Sequence, residues 1–212
     1  MTILYVETNL IVGVATGRIT ARDLESLTEA IGPGLRLVIP GICFFEASAW
    51  LEGEKKRREG FARSLTEQIT QLERDSNSIQ ARSLGSLLVQ ARAVNRKVFH
   101  NINSRLFSAI GDVSRTAELV ELDADVLTRS RNKIVVEEST DNLIVHCLFK
   151  HAAGFPAEPK AFLSGNSRDF GGGDVRKALK DGGIERFFTE ISDALGWLQS
   201  RPDTLAGQSP PA

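Results

Sequence analysis

A chain of 212 residues, 42% hydrophobic and 25% charged, has the length for one domain with a sizeable core and the balance of a globular protein. No apolar run nears the roughly 20 residues a membrane helix needs, and the opening MTILYVETN lacks the basic start and long apolar centre of a secretory signal; the expectation is a soluble, cytoplasmic protein with no membrane partner. A net charge of −1 excludes a uniformly cationic nucleic-acid binder, yet twelve Lys or Arg meet only six Asp or Glu between Glu54 and Arg115, a surplus of +6 against −7 for the remainder. Such a division can set carboxylates on a metal and cations on phosphates, although a solvated helical face has the same composition.

Residues 2–6 (TILYV) are β-favouring and apolar on both faces, which predicts a central parallel strand. Glu7-Thr8-Asn9 follows, and LIVGVATGR can open a helix. Over 21–31 Leu24, Leu27 and Ile31 fall at helical spacing, ended by Pro33-Gly34. LRLVIP (35–40) reads as a second strand. From Gly41 the run ICFFEASAWLEGEKK reads as a helix carrying Glu46, with Lys55-Lys56-Arg57-Arg58 at its end, where cations favour the dipole. Leu65, Ile69 and Leu72, then Leu84, Leu87, Leu88, Ala91 and Val94, predict two further helices with a turn and N-cap at 75–78. Residues 116–128 read as a helix or as a strand plus helix. A helix starts at Asp141, capped by Ser139 or Thr140, and ends at Gly154-Phe155-Pro156. KAFLSGN (160–166) reads as strand and turn, SRDFGGG as a loop, and 174–199 as helices divided by Gly182-Gly183. The expected fold is a three-layer α/β/α domain over 1–200 with a mostly parallel central sheet, a basic helical insertion at 54–115 and a disordered tail at 201–212.

In such sheets the functional crevice lies beyond the carboxyl ends of the strands. Glu7 and Asn166 with Asp169 follow strands, Glu46 lies on a helix after a strand, and Asp141 opens a helix. Carboxylates brought together in an apolar neighbourhood repel one another, and a hard divalent cation relieves that repulsion. Oxygen donors favour Mg²⁺ or Mn²⁺ over zinc, and such ions activate water and stabilise charge on a phosphate under attack. The chemistry anticipated is metal-assisted hydrolysis of a phosphodiester.

Four segments also resemble the PIN-domain nucleases: LYVETNLIVG their opening strand and turn, FFEASAW their Glu-bearing helix, STDNLIVHCLFKHA the helix of their third acid, and AFLSGNSRDF their final strand. The resemblance spans roughly residues 2–52 and 120–172. It implies a single-stranded-RNA or structure-specific nuclease using Mg²⁺ or Mn²⁺, often a toxin with a protein antitoxin. Carried over, Glu7, Glu46, Asp141 and Asp169 are the catalytic and metal-binding acids, with Asn166 as a further ligand. Thr8 and Asn9 support them, Thr8 by bonding a ligand carboxylate and Asn9 by holding the strand–helix junction. Glu7 departs from the pattern, which has Asp there; one added methylene moves its oxygens by about 1.5 Å and Mg²⁺ is demanding of distance. An RNA-binding module with weak or lost activity is therefore the alternative. Lys55, Lys56, Arg57, Arg58, Arg92, Arg96 and Lys97 are candidates for the nucleic-acid backbone. DNA in place of RNA, a protein inhibitor or antitoxin, and a homo-oligomer stay open as partners.

Other groups have plainer readings. Cys43 and Cys147 lie in apolar runs and are expected as buried thiols in a reducing compartment, too few for a disulfide framework or zinc site. His146 and His151 are five apart, not the four of a zinc pair. Asp123 and Asp125 read as surface acids, while Glu137 or Glu138 could join the site. Ser48 and Ser164 lack the setting of a nucleophile.

Overall fold

A computed structural model describes residues 1–30, 34–75 and 77–200. Five strands, β1 (Thr2–Val6), β2 (Leu35–Pro40), β3 (Glu118–Val120), β4 (Lys160–Leu163) and β5 (Arg186–Phe188), form one all-parallel sheet in the order β3-β2-β1-β4-β5. Successive side chains on a strand point to opposite faces. Ile3, Leu4, Tyr5 and Val6 are all fully buried, so both faces of the central strand are covered, as a three-layer α/β/α arrangement requires. The chain builds outward from β1 through β2 to β3, then returns to lay β4 on the other side of β1. Strand order reverses there, which makes the carboxyl ends of β1 and β4 the switch point of the sheet.

Nine helices lie among the described residues: α1 (Thr8–Thr16), α2 (Ala21–Ala30), α3 (Ile42–Glu73), α4 (Ile79–Thr116), α5 (Ala124–Asn132), α6 (Ser139–Ala153), α7 (Ser167–Phe170), α8 (Gly173–Asp181) and α9 (Ile191–Gln199). Gly17 closes α1 in the left-handed region at φ 75°, its N–H donating to the carbonyls of Gly13 and Val14, a conformation a side chain would strain. The expected break at Ile31 and Pro33, and the tail at 201–212, lie outside the described residues.

Several sequence expectations change. The helix bearing Glu46 does not end at Arg58 but runs on to Glu73, so the basic run is mid-helix and the dipole reading does not apply. The helices read as an insertion divide between the main core and the space outside it. Ile102, Leu106, Ala109 and Val113 belong to the main core, whereas Leu65, Ile69 and Ala81 are buried outside it. What leaves the body is an arm made of the later part of α3 and the earlier part of α4, packed on each other. Apolar spacing in the arm gives the helices correctly, yet Leu84, Leu87 and Val94 face solvent. The cap of α6 is Glu138, whose side chain accepts the Asp141 N–H at 2.8 Å, and not Ser139 or Thr140. Residues 116–128 resolve as strand plus helix. SRDF forms α7, and the three glycines after it make the α7–α8 junction: a side chain on Gly171 would press on the Ser167 carbonyl at 2.2 Å. β5 went unread, because a three-residue edge strand shows no alternation.

Candidate active site at the carboxyl edge of the sheet

Glu7 is the first residue past β1. It is the N-cap of α1, so its extended backbone turns the carboxylate back over the helix start. Its Oε2 accepts the backbone N–H of Asn9 at 2.7 Å, and its Oε1 accepts the hydroxyl of Ser164 at 2.7 Å. The junction is thus closed by the Asn9 backbone. Ser164 sits just past β4, the strand beside β1, and is as buried as Glu7 itself. Adjacent to Glu7, the buried Thr8 donates its hydroxyl to Glu46 Oε2. Glu46 lies in the second turn of α3 and is only half-buried, because its neighbour Phe45 turns outward at 80% exposure. Sequence neighbours did not report its environment.

Asn166 joins the remaining acids. Its backbone N–H donates to Ser164 Oγ at 3.0 Å, and its Nδ2 donates to Asp141 Oδ2 at 3.0 Å and to Asp169 Oδ2 at 2.8 Å. The Asp169 N–H returns to Asn166 Oδ1 at 3.2 Å, which caps α7. Two hydrogen-bonded stretches, Glu46–Thr8 and Glu7–Ser164–Asn166 with its fork to Asp141 and Asp169, meet through the peptide bond between Glu7 and Thr8. Beside it, on the Asn9 and Ser164 side, opens a cavity of about 340 Å³ also lined by Leu10, Arg18, Thr189 and Ser192.

Electrostatics reflect this crowding. Burial pushes Glu7 up to about 7 against the hydrogen bonds from Asn9 and Ser164, and the charge of Glu46 adds to the rise. Asp141 is likewise pushed to about 7, first by burial and then by Glu46, Glu7, Glu138 and Asp169. Glu46 is raised mainly by burial, with Thr8 opposing and Glu138 contributing. One added charge favours protonation wherever anions converge.

The donor chemistry is that of hard oxygens, which suits Mg²⁺ or Mn²⁺. As the side chains stand, however, no group of three or more His, Cys, Asp or Glu among the described residues is arranged to hold a metal ion. Thr8, Ser164 and Asn166 stand between the carboxylates and take up their oxygens. Asp141 Oδ1 and Glu46 Oε1 accept no hydrogen bond among the described residues.

Sequence reasoning missed Ser164 and underweighted Glu138. Ser164 was weighed only as a nucleophile; its place one residue past a buried strand, level with Glu7, was the available signal. The histidines are structural: His146 Nε2 meets the Lys133 carbonyl at 2.8 Å, and His151 lies between the Tyr5 hydroxyl and Glu118. Asp123 caps α5 and pairs with Lys150. Cys43 and Cys147 are buried and unpaired.

The seven cations named from the sequence all lie on the arm. Glu54 holds Arg57 and Arg58 at 2.7 Å, Arg58 also reaches Asn95 Oδ1 at 3.1 Å, and Arg92 donates to Thr66 Oγ1 at 3.0 Å. Lys55, Lys56, Arg96 and Lys97 are exposed and make no ion pair among the described residues. No helix among the described residues is long and apolar enough to cross a membrane. No family model, curated protein or solved structure matches the chain.

Proposed function

We propose that this protein is a PIN-like, divalent-metal-dependent phosphodiester hydrolase, an endoribonuclease on single-stranded or structured RNA. The observation that carries this reading is four acids from four separate elements brought together at the switch point of the sheet, three through Ser164 and Asn166 and Glu46 through Thr8 beside Glu7. Structural ion pairs do not call for such an arrangement, since it costs stability through mutual repulsion. Glu7, Glu46, Asp141 and Asp169, with Asn166, would hold a Mg²⁺ or Mn²⁺ ion. When bound, the ion supplies charge that offsets this repulsion, acidifies water and stabilises the phosphate under attack. Thr8 orients Glu46, Ser164 and the Asn9 N–H orient Glu7, and Asn166 sets Asp141 against Asp169. Asp141, raised in the metal-free chain by burial and by the neighbouring acids, is a carboxylate whose ionised form a bound cation would favour, and its Oδ1 has no hydrogen-bond donor among the described residues. The arm's cations would steer the anionic substrate. Buried, unpaired thiols suit the reducing cytoplasm we assign it.

The test is cleavage of end-labelled single-stranded RNA with Mg²⁺, with Mn²⁺ and with chelator, beside a small phosphomonoester. Metal-dependent internal cleavage of RNA that Glu46→Gln abolishes supports the proposal. Absence of cleavage with either metal, or cleavage that Glu46→Gln leaves intact, would refute it. A second reading, an RNA-binding module without activity, is favoured by the two hydrogen bonds that already occupy both oxygens of Glu7. Glu7→Asp separates the two: a gain in cleavage marks a degraded site, a loss marks Glu7 as the tuned ligand.

A further inference from the structure

The cations of the arm are not spread evenly over it. Where α3 and α4 pack together, one side forms a groove of about 610 Å³ lined by Arg63 of α3, by Arg74 at its C-cap and by Arg92 and Arg96 from α4, with Glu67 its single acid. The groove on another side of the same pair is lined by Glu73, Asp75 and Arg82. The first therefore gathers four guanidinium groups against one carboxylate, and the second one against two. None of the four arginines makes an ion pair among the described residues. Arg92 is held in place by Thr66 Oγ1 at 3.0 Å. α4 carries no acid from Ile79 to Gly111, so nothing on that wall competes for its cations.

This groove has a fixed relation to the acids. Glu46 and Arg63 are on the same uninterrupted helix, seventeen residues apart in the sequence or about 26 Å at 1.5 Å per residue. Arg74, at the far end, is about 42 Å from Glu46 on the same basis. Lys56, Arg63 and Arg74 are spaced by seven and eleven residues, both close to whole numbers of turns, so they follow one line along α3. Guanidinium groups match phosphate oxygens bidentately.

We infer that the four-arginine groove is a remote binding site for the sugar–phosphate backbone of a single strand of RNA, which lies along α3 from the acids to the arm. The inference rests on the proposed substrate class, though not on catalysis. At roughly 3.4 Å per stacked nucleotide, reaching Arg63 from the acids takes about eight nucleotides and reaching Arg74 about twelve. A shorter RNA can occupy the groove or reach the acids, but cannot span both.

The experiment is fluorescence anisotropy of labelled oligoribonucleotides of about 4 and about 16 nucleotides in chelator, with the full chain, with Arg63→Gln/Arg96→Gln and with Arg82→Gln as control from the opposite groove. All three substituted side chains are exposed, so folding is not at stake, and circular dichroism verifies it. The double variant is expected to lose about tenfold or more in affinity for the long RNA, and to lower the slope of log K against log salt by about 1.4, two phosphates at roughly 0.7 each. The short RNA, which covers fewer of the cations, is expected to bind the full chain more weakly than the long one, and Arg82→Gln moves the affinity for either by no more than about twofold. Equal losses in the double variant and the control would mean diffuse charge and overturn the site. Binding through the groove without cleavage under metal would sink the nuclease reading alone. Cleavage with binding indifferent to the groove would sink this inference alone, and absence of binding at any length would sink both.

Discussion

Two regions of this molecule handle charge in opposite ways. At the switch point of the sheet, like charges are buried together, and neutral donors hold them: Thr8 on Glu46, Ser164 and the Asn9 N–H on Glu7, Asn166 on Asp141 and Asp169. On the arm, charges stand in water, with Glu54 spanning Arg57 and Arg58, and the surplus cations stay exposed. Charge in the first region is costly and local; in the second it is cheap and screened by salt. The first is therefore suited to chemistry at a point and the second to holding an extended anion.

The largest expected effect follows from removing one of the buried charges. Asp141→Asn keeps the shape and an acceptor for Asn166 Nδ2 but deletes the anion. RNA cleavage is expected to fall about 10²-fold or more, while RNA affinity, which the proposed groove on the arm would carry, stays unchanged. The same substitution relieves repulsion, so the metal-free protein should melt at a higher temperature than wild type. A variant that cleaves normally would place the chemistry elsewhere.

Next comes pH. Glu7 and Asp141 both titrate at about 7 in the folded chain, above the ordinary values of about 4 in an unfolded one. Between about pH 4 and 7 the folded state holds protons that the unfolded state has released, so stability is greatest at the acid end of this window and declines as pH rises through it. Without metal, the melting temperature should fall from pH 5 to pH 8 by an amount worth about 2 kcal/mol or more. Mg²⁺ should offset the fall, because a cation favours the ionised form. A metal-free melting temperature that is flat or rises over this range would show that burial and mutual charge do not raise these acids.

Ser164→Ala isolates a single donor. It leaves Oε1 of the buried Glu7 without its partner, at a cost of about 1–3 kcal/mol in chemical denaturation. Because that hydrogen bond favours the ionised carboxylate, Glu7 moves further up, and the pH at which cleavage sets in moves up with it. A destabilised variant with an unchanged pH profile would make Ser164 a packing residue only.

The acids were legible in the sequence because each follows a strand or opens a helix, and parallel strands place their carboxyl ends on one edge. The glue between them was less so. Ser164 lies at the end of β4 across the sheet from Glu7, 157 residues away, and only the pairing of β1 with β4 makes them neighbours. Glu46 shows the converse: apolar residues around it in sequence suggested deep burial, but helix geometry sends Phe45 outward and leaves Glu46 half-buried. The arm was misjudged for a different reason. Amphipathic spacing marks helices, but no local signal separates one long helix from two short ones, so the continuity of α3 from Glu46 to Glu73 went unread, and with it the distance between acids and arginines.

On the arm the expected effects are smaller. Asn95 is buried between the helices, its Nδ2 on the Arg58 carbonyl and its Oδ1 accepting from Arg58 Nη1, both at 3.1 Å. This polar clamp sets the register of α3 against α4, as a lone buried Asn does in paired helices. Asn95→Ala should cost about 1 kcal/mol, read as faster hydrogen exchange in both helices, with cleavage of short RNA untouched. If exchange rises in the sheet as well, the arm is not an independent unit of stability.

Smallest of all is Arg57→Ala. Arg57 gives Glu54 two hydrogen bonds, at 2.7 and 3.0 Å, yet its side chain is 62% exposed and Arg58 still reaches the same carboxylate at 2.7 Å. Water and the second arginine replace what is lost, so the stability change should stay under about 0.5 kcal/mol. RNA affinity should move less than with an unpaired cation, because Glu54 already engages this guanidinium, sharing its one charge between Arg57 and Arg58. Arg63 and Arg96 have no such counter-ion among the described residues. If Arg57→Ala weakened RNA binding as much as Arg63→Gln/Arg96→Gln, charge anywhere on the arm would serve equally, and the contrast between a held cation and a waiting one would lose its meaning.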